Sequence, residues 1–150
     1  MIAGKLQPVL YVEDDENDVI FLRMAFENAQ VLNPLQVVSD GRLAMDYLLG
    51  IEPYSNRDEF PLPCLVLLDI KLPKKSGLEV LQWMRVTPEF VSVPVIILSS
   101  SSSNEDIHRA YAQGSNGYLV KPGSPKELLV LAKAIKDYWL DHNRNPPRVK

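Results

Sequence analysis

Residues 65–75 read LVLLDIKLPKK, four aliphatic residues running straight into Asp69, with a proline soon after. A strand with no polar alternation has no face to offer water and is covered on both sides. The carboxylate that ends it must be accounted for by its neighbours. Similar short apolar runs, with turn-forming or acidic residues at their C-terminal ends, occupy Pro8 to Val12, Leu35 to Val38, Val93 to Leu98 and Gly117 to Val120. Helical spacing fills the intervals: Ile20, Met24 and Ala25; Leu43, Asp46, Tyr47 and Leu48; Leu78, Leu81 and Met84; Ile107, Ala110 and Tyr111; Leu128, Leu131, Ala132, Ile135 and Trp139. Strand and helix alternate five times, which predicts an α/β, doubly wound five-stranded parallel sheet with five helices. In such sheets functional groups gather beyond the C-terminal ends of the strands, where the strand order reverses.

The 150 residues suffice for one domain with a buried core. A hydrophobic content of 46%, a charged content of 23% and a net charge of -3 fit a globular protein and argue against a basic nucleic-acid-binding face. Cys64, the single cysteine, excludes an intramolecular disulfide and stands at the head of an apolar run, where a small buried hydrophobe is expected. No segment approaches the ~20 apolar residues that cross a bilayer, and the N-terminus lacks the apolar stretch of a signal peptide. The expectation is a cytoplasmic protein that contacts no membrane. The segment GIEPYSNRDEFPLP, residues 50–63, reads as a long surface loop. The last helix is expected to end near Leu140, giving a domain over residues 1–142 and a mobile polar tail over 143–150.

The strand ends carry the chemistry. The first runs into EDDEND, Glu13 to Asp18; the third into Asp69; the fourth into Ser99; the fifth into Lys121 and Pro122. Each has a plain structural reading taken singly: an acid-rich helix start that complements the macrodipole, turn residues, a lysine before proline. Their joint placement at one edge of the sheet is what chance does not supply. Crowded carboxylates repel one another unless a cation holds them, and oxygen ligands favour a hard divalent ion such as Mg2+. Mg2+ binds through one or two carboxylates plus phosphate oxygens, which suits a site that receives a phosphoryl group. A carboxylate, here Asp69, can act as nucleophile and form an acyl phosphate, with Ser99 donating to one phosphoryl oxygen and Lys121 neutralising another.

On the acidic pair Glu13 and Asp14 after VLYV, the segment LVLLDIKLPKKSGLEVL around Asp69, VPVIILSSS with Ser99, and GYLVKP with Lys121 and Pro122, the chain resembles the receiver domain of two-component response regulators, over roughly Val9 to Leu140. The resemblance implies the flavodoxin-like receiver fold and a phosphoryl group passed from a kinase histidine to Asp69. It further implies that Asp14, Asp69 and the Lys71 carbonyl ligate Mg2+, with Glu13 acting through a coordinated water. Ser99 then swings toward the phosphoryl group and Tyr118, on the switch aromatic, rotates inward. The Lys121-Pro122 bond is cis in many members, and Gly77 matches the glycine after the LP turn. Lys71 and Ser101 occupy positions that vary in the family, and the bulk of Lys71 implies slow self-dephosphorylation; Ser100 is small, as access to the aspartate requires.

With no output domain expected after Leu140, signalling is by protein contact and not by enzymatic turnover. The 50–63 loop, the VEDDENDVIFLRMAFE segment and the proline-bearing tail are similar to single-domain regulators of phytochrome-type histidine kinases, many of which dimerise. The expected homodimer uses the fourth helix, fifth strand and fifth helix, where Leu129, Val130 and Tyr138 are placed nearer the outer side. Contact with the kinase is placed on the first helix, around Ile20 and Met24. Two other functions fit the residues less well. An aspartyl-phosphate phosphatase or phosphotransferase needs an acid two residues beyond the nucleophile, where Lys71 stands; a phosphorylation-independent adaptor predicts gaps among Asp14, Asp69, Ser99 and Lys121, and none is missing.

Overall fold

The computed structural model describes residues 6–147. Residues 1–5 and 148–150, which the expected domain and tail include, lie outside that range. The apolar runs form the parallel strands β1 (Val9–Val12), β2 (Leu35–Val38), β3 (Leu65–Leu68), β4 (Val95–Ser99) and β5 (Gly117–Val120), in the sheet order β2-β1-β3-β4-β5. β1 starts one residue and β4 two residues later than their apolar runs, because the prolines at 8 and 94 have no N–H to donate. The helices are α1 (Glu16–Asn28), α2 (Gly41–Leu49), α3 (Gly77–Val86), α4 (Asn104–Ala112) and α5 (Pro125–Ile135).

Alternate strand residues feed two separate cores, which explains the missing polar alternation. Leu10, Val12, Val66, Leu68, Val95 and Ile97 pack with α2, α3 and Ala110 of α4. Val9, Tyr11, Leu65, Leu67, Ile96 and Leu98 pack with Leu22, Ala25 and Phe26 of α1 and Ala132 and Ile135 of α5. On α1 the buried stripe is therefore Leu22, Ala25 and Phe26, while Ile20 and Met24 are about half exposed at 53% and 52%. Two apolar stripes overlap on that helix, and spacing alone does not choose between them. Each of these helices begins on a side chain that accepts the N–H three residues on: Asp15, Asp40, Ser76, Ser103 and Ser124, with a full capping box between Ser76 and Glu79.

Two arginines fasten irregular chain. The Arg57 guanidinium donates to the carbonyls of Tyr47 and Leu48 at 2.8 and 2.7 Å, and to that of Phe60 at 3.1 Å. It ties the 50–63 loop to the end of α2, beside a cluster of Tyr47, Tyr54 and Phe60 rings. Arg85 of α3 reaches the carbonyls of Gly114, Val91 and Val93 and the Asn116 side chain, all within 3.1 Å. It thereby holds the chain that leaves the C-terminal end of α4, a helix whose buried residue is Ala110.

After α5 the chain continues as a π-helical segment, Lys136–His142, slightly past the expected end at Leu140. The described part of the tail is tied down, since Asn145 Nδ2 donates to the Cys64 carbonyl at 2.9 Å. Cys64 itself is half-buried, not enclosed. Among the described residues the cis X-Pro bond is Glu52-Pro53, not Lys121-Pro122. No described helix is long and apolar enough to cross a membrane.

Candidate functional site

Register fixes the rim. Val12 lies opposite Leu68, so Glu13 and Asp69 emerge side by side from β1 and β3, the pair of strands at which the order reverses. Ser99 lies opposite Val120, which sets Lys121 just beyond it. Backbone bonds hold these exits: Glu13 N–H to Val38, Asp69 N–H to Val12 and Lys121 N–H to Ser99, at 3.0, 3.2 and 2.8 Å.

Lys121 is the centre of the constellation. Its ammonium donates to Asp69 Oδ2 at 2.9 Å, to Asp18 Oδ2 at 2.8 Å and, most closely, to Glu13 Oε1. Three N–H donors thus meet three carboxylates. Burial alone would lower the lysine pKa, but the bonds to Asp18, Glu13 and Asp69 outweigh it and hold the value above the ordinary lysine range. Glu13, Asp69 and Ser99 are all buried. Burial raises Glu13 to about 7, the nearby Asp69 charge adds to the rise, and the Lys121 ammonium and the Asp15 N–H pull against it. Tyr11 donates to Glu13 at 3.2 Å, and burial followed by the Glu13 charge pushes its hydroxyl well above the usual tyrosine value.

Glu13, Asp14 and Asp69 each present one carboxylate oxygen within 4.8 Å of the others. Ligand oxygens about 2.1 Å from an octahedral ion lie roughly 3 to 4 Å apart, so this all-oxygen set fits a hard divalent cation. Asp14 is exposed, which leaves the mouth of the set open to solvent. The Lys71 N–H donates to Asp69 Oδ1 at 3.4 Å and its side chain is exposed. Ser99 Oγ accepts from the Ser101 N–H at 3.1 Å, and the Tyr118 hydroxyl donates to the Ser101 carbonyl at 2.8 Å. The half-buried Tyr118 ring packs against the core.

Asp15 is only a helix cap, accepting from the Asp18 N–H at 3.0 Å. Asp18 is more than a helix-start acid: one turn along α1, it leans back over the rim onto Lys121. Asp106, in the first turn of α4, was also missed; it binds Ser101.

A titration follows from Glu13. The folded-state value lies above the ordinary one, so Glu13 favours the folded, metal-free protein below about pH 4.5, and that contribution is lost as pH rises through about 7. A divalent ion needs the carboxylate and must displace that proton. Apparent Mn2+ affinity is expected to rise by up to about tenfold per pH unit below the Glu13 value and to level off above it. Calorimetric titrations from pH 5.5 to 8 check this, and a flat profile would refute it.

Residues 9–133 match the family model of the response regulator receiver domain. The probable methanogenesis regulatory protein FilR2 of Methanothrix harundinacea is 37% identical over 138 residues, spanning 92% of this chain and 86% of that protein. The phosphorylated cyanobacterial phytochrome response regulator RcpA superposes with a TM-score of 0.86 at 33% identity, over 95% of this chain and 99% of that one. The Mn2+-bound form of the response regulator Rcp1, a Synechocystis protein, superposes with a TM-score of 0.83 at 30% identity, over 94% and 99% of the two chains. The matched length takes in every strand end described above, and the chain belongs to the response regulator receiver domain family.

Proposed function

We propose that this chain is a phosphoacceptor that takes a phosphoryl group from a histidine kinase onto Asp69 and signals by a change of shape. The observation that carries this reading is the Asp69 carboxylate, buried at the reversal of strand order, in contact with Lys121 and grouped with Glu13 and Asp14. An Asp69 oxygen forms the new O–P bond while the N–P bond to the kinase imidazole breaks, the nitrogen keeping the electron pair. Lys121 holds the carboxylate in place and then neutralises a phosphoryl oxygen, and the Ser99 hydroxyl donates to another. Asp14, Asp69 and the Lys71 carbonyl would hold Mg2+, with Glu13 reaching it through a coordinated water, and the ion would supply further neutralisation of the phosphoryl charge. The Lys71 side chain restricts water, so the acyl phosphate is long-lived and the chain turns over once per phosphorylation, without acting as an enzyme.

The likeness to RcpA supports a phytochrome-type kinase as donor, in the cytoplasm. Residues 1–142 act as the receiver and 143–150 as an appended tail. Exposed Tyr111, Val120, Val130 and Tyr138 line α4, β5, α5 and the π-helical segment after it, and support a homodimer through that face. Incubation with a small phosphodonor and Mg2+ tests the reading: intact mass is expected to rise by one phosphoryl group, labile to hydroxylamine and mapping to Asp69. No gain, or a gain elsewhere, removes it. The phosphorylated sample is expected to sediment as a dimer, and a monomer at high concentration removes that part alone.

A further inference from the structure

Ser101 stands where three elements meet. Its N–H donates to Ser99 Oγ on β4 at 3.1 Å, its carbonyl accepts from the Tyr118 hydroxyl on β5 at 2.8 Å, and its own hydroxyl donates to Asp106 Oδ2 on α4 at 2.5 Å. A bond that short from a hydroxyl to an ionised carboxylate is of the strong, charge-assisted kind. That same bond is the foremost cause holding the Asp106 carboxyl below the usual aspartate range. The cap of α4 is made separately, by Ser103 Oγ accepting the Asp106 backbone N–H at 3.1 Å. The Asp106 side chain is therefore not what starts its own helix. Arg109, at 4.0 Å on an exposed face, is too distant to compete strongly for it.

We propose that Asp106 is the positioning residue that couples the phosphoacceptor rim to α4, by gripping the Ser101 hydroxyl and so setting both the Ser99 acceptor bond and the Tyr118 anchor. The inference deepens the phosphoacceptor reading and rests on it. A Ser99 hydroxyl that turns toward a phosphoryl oxygen on Asp69 must take the Ser101 N–H with it or release it. How far Ser101 can follow is set by Asp106. The ease of that turn thus depends on where α4 sits, and by reciprocity the phosphoryl group biases α4.

The experiment is a double-mutant cycle read as affinity for trifluoroberyllate, an acyl-phosphate analogue, in Mg2+. It uses the wild type, Asp106→Asn, Tyr118→Phe and the double variant. Each single substitution is expected to weaken binding by about three- to tenfold, and the double by no more than the worse single, a coupling of about fivefold. Ser101→Ala, which removes the hydroxyl partner while keeping the Asp106 carboxylate and the Ser103 cap of α4, must reproduce the Asp106→Asn loss. A purely structural role for Asp106 predicts losses that multiply, and that outcome overturns the inference, as does unchanged affinity in Asp106→Asn. If wild-type protein neither binds the analogue nor accepts phosphate, the phosphoacceptor reading fails and takes the inference with it. Wild-type binding with multiplying losses removes the inference alone.

Discussion

Gly77→Ala is expected to unfold much of the protein and to deprive whatever remains folded of a usable Asp69. A Cβ built on Gly77 stands 1.9 Å from the Asp69 carbonyl oxygen, 2.8 Å from its carbon and 2.9 Å from Ile70 Cα. All three are backbone atoms at the end of the central strand, with no flexible side chain to give way. Relief requires the Asp69-Ile70 peptide to move by an ångström or so, which breaks the 2.8 Å bond from the Gly77 N–H to the Ile70 carbonyl. The expected loss is at least about 3 kcal/mol, measured as a shift in denaturant midpoint. The displaced strand end also carries the carboxylate away from Lys121, so Mn2+ affinity should fall in the folded fraction. Two other glycines calibrate the result. Gly41→Ala meets the Lys75 carbonyl at 2.0 Å and should destabilise comparably while sparing Asp69; Gly123→Ala has nothing within 4 Å and should be close to neutral. Wild-type stability in Gly77→Ala would contradict the close approach on which the rim is built.

Lys121→Met is expected to lose about 100-fold in the rate of phosphoryl acceptance, and to be destabilised by about 2–3 kcal/mol at pH 8 without metal. Removing the ammonium leaves Glu13, Asp18 and Asp69 facing one another with no counter-charge. The stability loss sits below the full figure for a broken buried pair because Asp18 remains 37% exposed and water can reach it. The sign with pH follows. Without the ammonium the carboxylate pKa values rise, the folded protein retains protons that the unfolded chain releases, and the variant weakens as pH climbs through those values. The deficit should therefore shrink toward pH 5. It should also shrink on adding Mg2+, because the ion replaces the missing positive charge, while phosphoryl acceptance stays impaired. Denaturation midpoints at both pH values, with and without Mg2+, together with the rate of mass gain, check all three expectations. A deficit indifferent to pH and metal would show that Lys121 acts only through packing.

The strands and their polar ends were legible because burial on two faces leaves an unmistakable record: VLYV, LVLL and VIIL have no polar alternation, and the five exits fall on one rim of any parallel sheet that contains them. The acidic run Glu13 to Asp18, Asp69, Ser99 and Lys121 followed from that geometry, and the family resemblance singled out Glu13 and Asp14 within the run. The part Asp18 plays did not, because an acid in a first helical turn has an adequate local reason to be there, and its reach to Lys121 is a tertiary fact. The same holds for Asp106, whose partner lies across a loop. On α1, periodicity admitted two stripes that share Ala25, and packing beside α5 favours the one carrying Leu22 and Phe26 over the one carrying Ile20 and Met24. The 50–63 segment looked merely irregular, since nothing local announces that Arg57 will collect three carbonyl groups.

The arginine on α3 gives α4 unequal ends. The chain leaving its C-terminus is pinned through Gly114 and Asn116, whereas its first turn is held through serine hydroxyls and Asp106 and its inner face buries a lone alanine. A helix fastened that way behaves as a lever on a fixed pivot. A small displacement at the loop beyond Ser99 becomes a swing of the free end, and any protein that reads this molecule along α4 reads an angle, with the greatest travel nearest the chemistry.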